Sequence, residues 1–416
     1  MPLGVIGLPG FLALFWAVAF ALAQKFRPDG ILLRALSLAA WLILAELARG
    51  HVLTGFPWAL LAYAWVETPF LQTASWAGPY GLSLIVLILT GLLLSALLER
   101  AWLPGAAVLL TIAALWAWGT ARVPGEAVIA PDAPLIRIVQ PNAPQHLKWD
   151  PAYAPRFYRR LLAHSRAPAD SASGRPDLIV WPEMAVTFPP GEYPEALAQI
   201  AEAAAGAPVV LGALHRDEVS GEPAWLNAMM TVLPEGRLGP RYDKHHLVPF
   251  GEYMPFKEVI SLIGLRQLAQ HGGLSSGTGP EMMNLPGLPA FAATICYEMI
   301  FPHRIVPSGP RPSWILTITN DAWFGGFAGP QQHLAQARFR AVEQGLPVAR
   351  AANTGISSVL DSYGRIQQQL ALHRDGYFDQ KLPSPAAATI YSFTGNFPAL
   401  LACLMLIFVT IRNRSG

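Results

Sequence analysis

The sequence predicts an α/β domain inserted between transmembrane α-helices, and three observations carry that prediction. Of 416 residues, 53% are hydrophobic and only 13% are charged, against about 25% charged in an ordinary soluble domain. The mean hydropathy is +0.35. Long apolar segments gather at the two ends of the chain, whereas residues 125–391 mix strand-length apolar runs with helical patterns. Strands interleaved with helices specify a layered α/β core, and this stretch is long enough to bury one. No fixed-period repeat is visible.

Three regions follow: a helical region at 1–124, an α/β domain at 125–391, and a last helix with its tail at 392–416. In the first, residues 5–23, 31–48, 81–98 and 103–118 approach the ~20 apolar residues that a spanning helix needs. The last segment, 397–411, is shorter and runs into Arg412 and Arg414. The N-terminus lacks the basic region and small-residue cleavage site of a signal peptide, so it is expected to stay in the mature protein. Glu46 and Arg49 end the second segment, near the expected interface. LTGFPW follows at 53–58, too short and too interrupted by Gly55 and Pro57 to span. It reads equally as a re-entrant or interfacial loop and as an aromatic belt anchor.

Basic residues orient the helices. Lys25, Arg27 and Arg34 flank the first connection, Arg100 lies in the third, and Arg412 and Arg414 follow the last segment. Placing all three sets in the cytoplasm satisfies the positive-inside rule with about five spanning helices and the N-terminus outside. The α/β domain and the 53–58 loop then share the outer side. A net charge of +2 gives no ground for nucleic-acid binding.

Within the domain, strands are expected at 135–139, 178–181, 209–214, 229–233, 291–295, 314–319 and 348–352, and helices at 154–165, 193–205 and 331–344. Three strand ends carry ionisable groups. LIVWPE ends in Glu183, RYDKHHLVPFGE supplies Lys244 and Glu252, and AATICYE ends in Cys296, Tyr297 and Glu298. α/β sheets place their chemistry at the carboxyl ends of strands. The only other cysteine, Cys403, lies in the terminal apolar segment, so no disulfide framework is expected and Cys296 is a free thiol. Such a thiol attacks only as a thiolate and needs a base or a neighbouring cation. Glu183 has the chemistry to take the proton. Lys244 has the charge to lower the thiol pKa and stabilise an oxyanion. Each residue also has a plain reading: a small buried hydrophobe, a strand-end helix cap and a surface cation.

Other polar residues are weighed in the same way. His245 and His246 suggest metal ligation, but no carboxylate or cysteine spacing completes a ligand set. His333 opens a helix and reads as structural. Asn320 and Asp321 read as shaping a pocket through turn hydrogen bonds rather than moving protons. Residues 256–279 read either as a packed helix and loop or as a mobile arm that gates a pocket or dips into the membrane surface.

The combination resembles the nitrilase superfamily, and within it the membrane-bound apolipoprotein N-acyltransferase family. The resemblance rests on LTGFPW at 53–58, LKWD at 147–150, VWPE at 180–183 and YDKHHLVPFGEYMP at 242–255. It continues with ICYE at 295–298, TNDAWFG at 319–325 and RAANTGIS at 350–357. It implies an αββα sandwich with Glu183 as general base, Lys244 as stabiliser of the oxyanion and Cys296 as nucleophile. It further implies Glu252, Glu298 and Tyr297 in support. Trp149, Phe56, Trp58, Asn320 and Trp323 would contact substrate.

The implied reaction moves an acyl chain from a phospholipid, typically phosphatidylethanolamine, to the α-amino group of an apolipoprotein's diacylglyceryl-cysteine. It is ping-pong through a thioester and uses no metal or cofactor. A monomer in the bacterial inner membrane is expected, with the catalytic domain on the periplasmic side. The family's usual members carry about eight spanning helices, so Met1 would align inside their bundle; losing an odd number agrees with an N-terminus outside. Two other functions compete: a membrane-anchored amidase acting on a soluble amide, and a catalytically silent envelope scaffold.

Overall fold

The structure is a computed structural model that describes residues 2–169, 174–219, 221–255 and 273–413. The chain divides into two compact units. One comprises Met1–Gly125, Val342–Gly345 and Ala387–Gly416; the other comprises Glu126–Ala341 and Leu346–Ala386.

The second unit carries twelve strands among its described residues: β1 (Leu135–Gln140), β2 (Leu178–Val180), β3 (Val209–Val219), β4 (Glu222–Val232), β5 (Leu238–Asp243), β6 (Met282–Met283), β7 (Phe291–Ile295), β8 (Trp314–Thr319), β9 (Val348–Ala352), β10 (Ser357–Leu360), β11 (Ile366–Leu370) and β12 (Gly376–Lys381). They form two six-stranded sheets, ordered β12-β1-β2-β3-β4-β5 and β11-β10-β9-β8-β7-β6. In each sheet the central strands are parallel, β1 to β3 and β7 to β9, and the outer pairs are antiparallel.

Period-two alternation assembles the layers, because successive strand residues face opposite sides. Ile136, Ile138, Leu178 and Val180 of one sheet meet Phe291, Ala293, Leu316 and Ala351 of the other. The intervening residues Val139, Ile179, Val209 and Leu211 turn outward. They pack on Leu161 and Leu162 of one helix (Ala154–Arg166) and Leu197 and Ile200 of another (Pro194–Ala204). Ala292, Ile315 and Val348 likewise cover Leu334, Ala337 and Ala341 of the helix Gly329–Gln344. The result is an αββα sandwich.

All seven expected strands and all three expected helices are present. β5, β6, β10, β11 and β12 were not read from sequence, for a physical reason. β5, β6, β11 and β12 are short or polar antiparallel strands at the sheet edges, with IQQQL in β11 largely exposed, and β10 is a buried strand of only four residues beginning Ser-Ser. Such edges carry little apolar periodicity.

The other unit holds α1 (Pro2–Lys25), α2 (Ile31–His51), α3 (Ala74–Leu98) and α4 (Trp102–Arg122). Each of these four is long and apolar enough to cross a membrane, and this is a membrane protein. The fifth expected segment forms the helix Phe397–Arg412, whose 16 residues fall short of that length. α3 begins before the expected 81–98, with non-helical backbone at Ala77 and Gly78 ahead of Pro79.

Glu46 and Arg49, expected near the interface, form a buried ion pair. Trp16 Nε1 donates to Glu46 Oε1 (2.5 Å), and the Arg49 carbonyl accepts from Phe56 N (2.8 Å). That backbone bond ties the 53–58 loop to the end of α2, and within the loop Phe56 and Trp58 stack with centroids 6.3 Å apart.

In the α/β unit, the turn after β2 lies directly on β3. Gly212 N donates to Pro182 O (3.1 Å), and Ala185 N donates to Gly212 O (2.7 Å). A Cβ on Gly212 would stand 2.5 Å from Glu183 Cα and 2.6 Å from Met184 N. Overpacking of this kind costs roughly 1–3 kcal/mol, and here the obstacle is backbone. Gly212→Ala is expected to lower the thermal unfolding midpoint and displace Glu183, read by calorimetry beside turnover. Wild-type values for both would contradict this packing.

Candidate active site

Cys296 stands where the buried strand β7 stops and a single helical turn, Cys296–Ile300, begins. Its φ is +50°, and Met184, next to Glu183, has φ +49°. Left-handed backbone costs a residue with a Cβ roughly 1–2 kcal/mol, so surrounding contacts must hold it. Glu298 supplies several. Its Oε2 accepts from Ile295 N (2.7 Å) and Tyr242 Oη (2.8 Å), and its Oε1 accepts from His245 N (2.7 Å) and His246 N (3.1 Å). One buried carboxylate thus ties the end of β7 to the end of β5. Burial pushes this carboxyl up, but the His245 side chain and the Ile295 amide outweigh it and hold Glu298 below the usual range.

Lys244 follows β5. In the β4–β5 register Ala228 faces Asp243, which sets Asn227 beside Lys244, and Lys244 N donates to Asn227 O (2.8 Å). Lys244 Nζ donates to Glu252 Oε1 (2.8 Å) and Glu183 Oε1 (3.2 Å). Asn227 Nδ2 reaches the same two oxygens, at 3.0 and 2.8 Å. The other oxygens take backbone donors, Val248 N for Glu252 (2.8 Å) and Asn320 N for Glu183 (2.9 Å). Two carboxylates therefore share one ammonium and one amide.

Lys244 is 1% exposed and Glu183 4%. Burial works against the Lys244 ammonium, but Glu183 and Glu252 outweigh it and hold its pKa well above the lysine range. The Cys296 thiol goes the other way for its kind: burial and the Glu183 charge push it far up, with Lys244 opposing. At rest the site is therefore a neutral thiol beside an ammonium and two carboxylates. It can pass a proton from sulfur to Glu183 as a bond forms, and offer Nζ to a developing oxyanion.

The structure brings Glu183, Lys244 and Glu252 into hydrogen-bond contact and couples Cys296 to Lys244 and Glu183 electrostatically. Tyr297 is buried, edge-on to Phe301 with centroids 5.2 Å apart. Asn320 Nδ2 donates to Gln145 Oε1 (2.8 Å), and its Oδ1 accepts from Asn353 (2.9 Å). Trp149 is 44% exposed and Trp323 68%. Phe56 and Trp58 belong to the helical unit. Of the expected arm at 256–279, residues 256–272 lie outside the described residues. The loop after it pins the site: Leu274 N donates to Glu252 O (2.7 Å) and Gly277 N to Lys244 O (2.8 Å).

His245 packs its ring on Tyr242 Oη and Glu298, and His246 stacks on Phe301. Among the described residues, no group of three or more His, Cys, Asp or Glu is placed to hold a metal.

Two site residues escaped sequence reasoning. Asn227 left one signal, a polar side chain in the otherwise apolar centre of β4. Lys148 ends the short helix Gln145–Lys148, beside the Trp149 already singled out. It is 3% exposed and its Nζ donates to Glu183 O (3.2 Å). Burial lowers it to about 8, against the pull of Glu183.

The fold and this acid–lysine–cysteine cluster define the protein class: residues 135–385 match the carbon-nitrogen hydrolase family. Residues 1–93 match the apolipoprotein N-acyltransferase N-terminal domain. The apolipoprotein N-acyltransferase of Rhodopseudomonas palustris is 40% identical over 432 residues, covering all of this chain and 80% of that protein. The protein of the same name from Brucella melitensis is 40% identical over 427 residues, covering all of this chain and 79% of its own. A solved CN-hydrolase superfamily structure from Xanthomonas campestris has 22% identity and a TM-score of 0.41, covering 65% of this chain and 96% of its own. The chain belongs to the apolipoprotein N-acyltransferase family.

Lys148 makes a pH signature. Below about pH 8 its ammonium is charged in folded and unfolded chains alike, and burying it costs stability. Between about 8 and 10.5 the folded chain sheds the proton first. The unfolded chain then binds more protons, so stability rises with pH. The gap corresponds to roughly 3 kcal/mol. Wild type is expected to gain about that much relative to Lys148→Met across this window, measured by denaturant unfolding. Parallel pH profiles would contradict it.

Proposed function

We propose that this chain transfers an acyl chain from a membrane phospholipid to the α-amino group of an apolipoprotein's N-terminal diacylglyceryl-cysteine. The observation that carries this reading is the Lys244 ammonium clamped between Glu183 and Glu252 beside a protonated thiol. Family membership and an N-terminal region of apolar helices favour lipid substrates over a soluble amide.

The reaction runs in two halves. Cys296 Sγ attacks the ester carbonyl carbon and its proton passes to Glu183. Lys244 Nζ stabilises the oxyanion of the tetrahedral intermediate. The C–O bond breaks, Glu183 returns the proton to the departing oxygen, and lysophospholipid leaves behind a Cys296 thioester. In the second half the acceptor's neutral α-amine attacks that carbonyl and gives a proton to Glu183. The C–S bond breaks, the thiolate recovers the proton, and the amide product departs.

Glu252 and Asn227 fix Lys244 and Glu183 for both halves, while Glu298 and Tyr297 hold the turn at Cys296. Trp149 and Trp323 offer aromatic surface to an acyl chain, Phe56 and Trp58 are assigned to lipid contact within the helical unit, and Asn320 N holds Glu183. One chain supplies every reacting group, so a monomer suffices. Phosphatidylethanolamine as donor and an inner-membrane setting with the α/β unit on the periplasmic side complete the reading; the basic residues Lys25, Arg27, Arg34 and Arg100 favour that orientation.

Transfer from a labelled phospholipid to a diacylglyceryl-cysteine peptide tests it. Cys296→Ser is expected to abolish multiple-turnover transfer, since a hydroxyl is the poorer nucleophile at neutral pH. Lys244→Arg keeps the charge but not the compact donor, and losing one oxyanion donor costs about 10²–10³ in rate. Sustained transfer by the Ser variant, or near-normal turnover by Lys244→Arg, would overturn the assigned roles.

A further inference from the structure

Behind Cys296 lies a buried polar cluster that the proposed chemistry does not use. His333 is fully buried on the helix Gly329–Gln344. Its Nε2 stands 3.2 Å from the carbonyl oxygen of Cys296, and its Nδ1 stands 2.9 Å from Asp321 Oδ1. Asp321 Oδ1 also accepts from Thr319 Oγ1 (2.9 Å), and Asp321 Oδ2 accepts from Arg350 Nη2 (2.5 Å). None of Thr319, Asp321, His333 and Arg350 is more than 1% exposed. Thr319 and Asp321 come from the end of β8 and Arg350 from the middle of β9, so three elements converge under the nucleophile.

The hydrogen count decides what this cluster does. Arg350 and His333 hold Asp321 ionised although burial opposes it. Burial and Arg350 push His333 down, and Asp321 and the Cys296 carbonyl pull against them. Oxygen acceptors face both ring nitrogens, and a carbonyl oxygen can only accept, so the contact at Nε2 is a hydrogen bond with Nε2–H as its donor. Arg350 Nη2 lies 3.2 Å from Nδ1. The same nitrogen donates to Asp321 Oδ2, so Arg350 and the imidazole meet on one carboxylate, while Nε2–H is the donor that faces the Cys296 carbonyl.

We propose that His333 is the positioning residue of the nucleophile: its Nε2–H holds the carbonyl of Cys296 and fixes the left-handed backbone from which the thiol meets Glu183 and Lys244. Asp321, Thr319 and Arg350 hold the ring in place. The assignment rests on Cys296 being the nucleophile, and it adds a residue that touches neither substrate nor sulfur. Its effect falls on the turnover of bound substrate rather than on binding, because small misplacement of a reacting group costs up to about 10²-fold in rate.

Side-chain amides separate the two ring nitrogens. Gln places its amide nitrogen near the Nε2 position, and Asn places its own near Nδ1. His333→Gln is expected to keep kcat for phospholipid-dependent transfer within about threefold of wild type, and His333→Asn to lose about 10²-fold. KM for phospholipid should change little in either, and the two unfolding midpoints should match. A second variant serves if His333→Gln does not fold. In Asp321→Asn the new amide donates to Nδ1 and keeps the hydrogen on Nε2, so kcat should persist while the unfolding midpoint falls.

Equal kcat in the Gln and Asn variants, a loss that only follows the unfolding midpoint, or loss of kcat in folded Asp321→Asn would overturn the role. Absence of transfer in the wild-type chain would overturn the functional reading itself, which keeps that failure distinct.

Discussion

Burial of the Lys244 ammonium between two carboxylates is the constraint on which the rest of the site depends. An ion taken from water loses several kcal/mol of solvation even after the protein relaxes. Lys244 is 1% exposed and recovers that loss through Glu183 and Glu252, at 3.2 and 2.8 Å. The carboxylates in turn need donors, and Asn227, Val248 N and Asn320 N supply them. These partners come from β4, the segment after β5 and the end of β8, so both sheets must be in register before the charges balance. Removing one member of such a set leaves the others buried and unpaired, at about 3–5 kcal/mol.

Burial of the thiol beside this cluster keeps its proton in place. Burial pushes the Cys296 thiol up, the charges of Glu183 and Asp321 add to it, and Lys244 opposes them without reversing the direction. In the proposed reaction the proton leaves only as the carbon–sulfur bond forms, and Glu183 is both its acceptor and its later donor. The strained turns at Cys296 and Met184 suit this arrangement, since they aim the two partners from strand ends that straight strands would not bring together.

Much of this was legible in the sequence, for identifiable reasons. The central strands are parallel and buried on both faces, so they read as short continuous apolar runs, and three of these runs end abruptly in a polar or nucleophilic side chain of the candidate site: Glu183, Cys296 and Asn320. The edge strands were not legible, because half-exposed antiparallel additions such as IQQQL carry neither apolar runs nor clean alternation. Contacts between distant residues were hidden as well. Asn227 joins Glu183 and Glu252 across 44 and 25 residues, and His333 meets Cys296 across 37. No local pattern reveals such pairings. A lone histidine opening a helix looks structural until the fold sets it against the Cys296 carbonyl. Lys148 was passed over beside a tryptophan because a lysine ordinarily lies in solvent.

The central claim is that Cys296 carries the acyl chain between the two substrates, and intact mass spectrometry tests it most directly. The full chain is incubated with phospholipid vesicles and no acceptor, then digested to locate the adduct. The account predicts a mass gain of one acyl chain on the Cys296 peptide, discharged when a diacylglyceryl-cysteine peptide is added. No adduct, an adduct retained by Cys296→Ser, or one that survives the acceptor unchanged would contradict it.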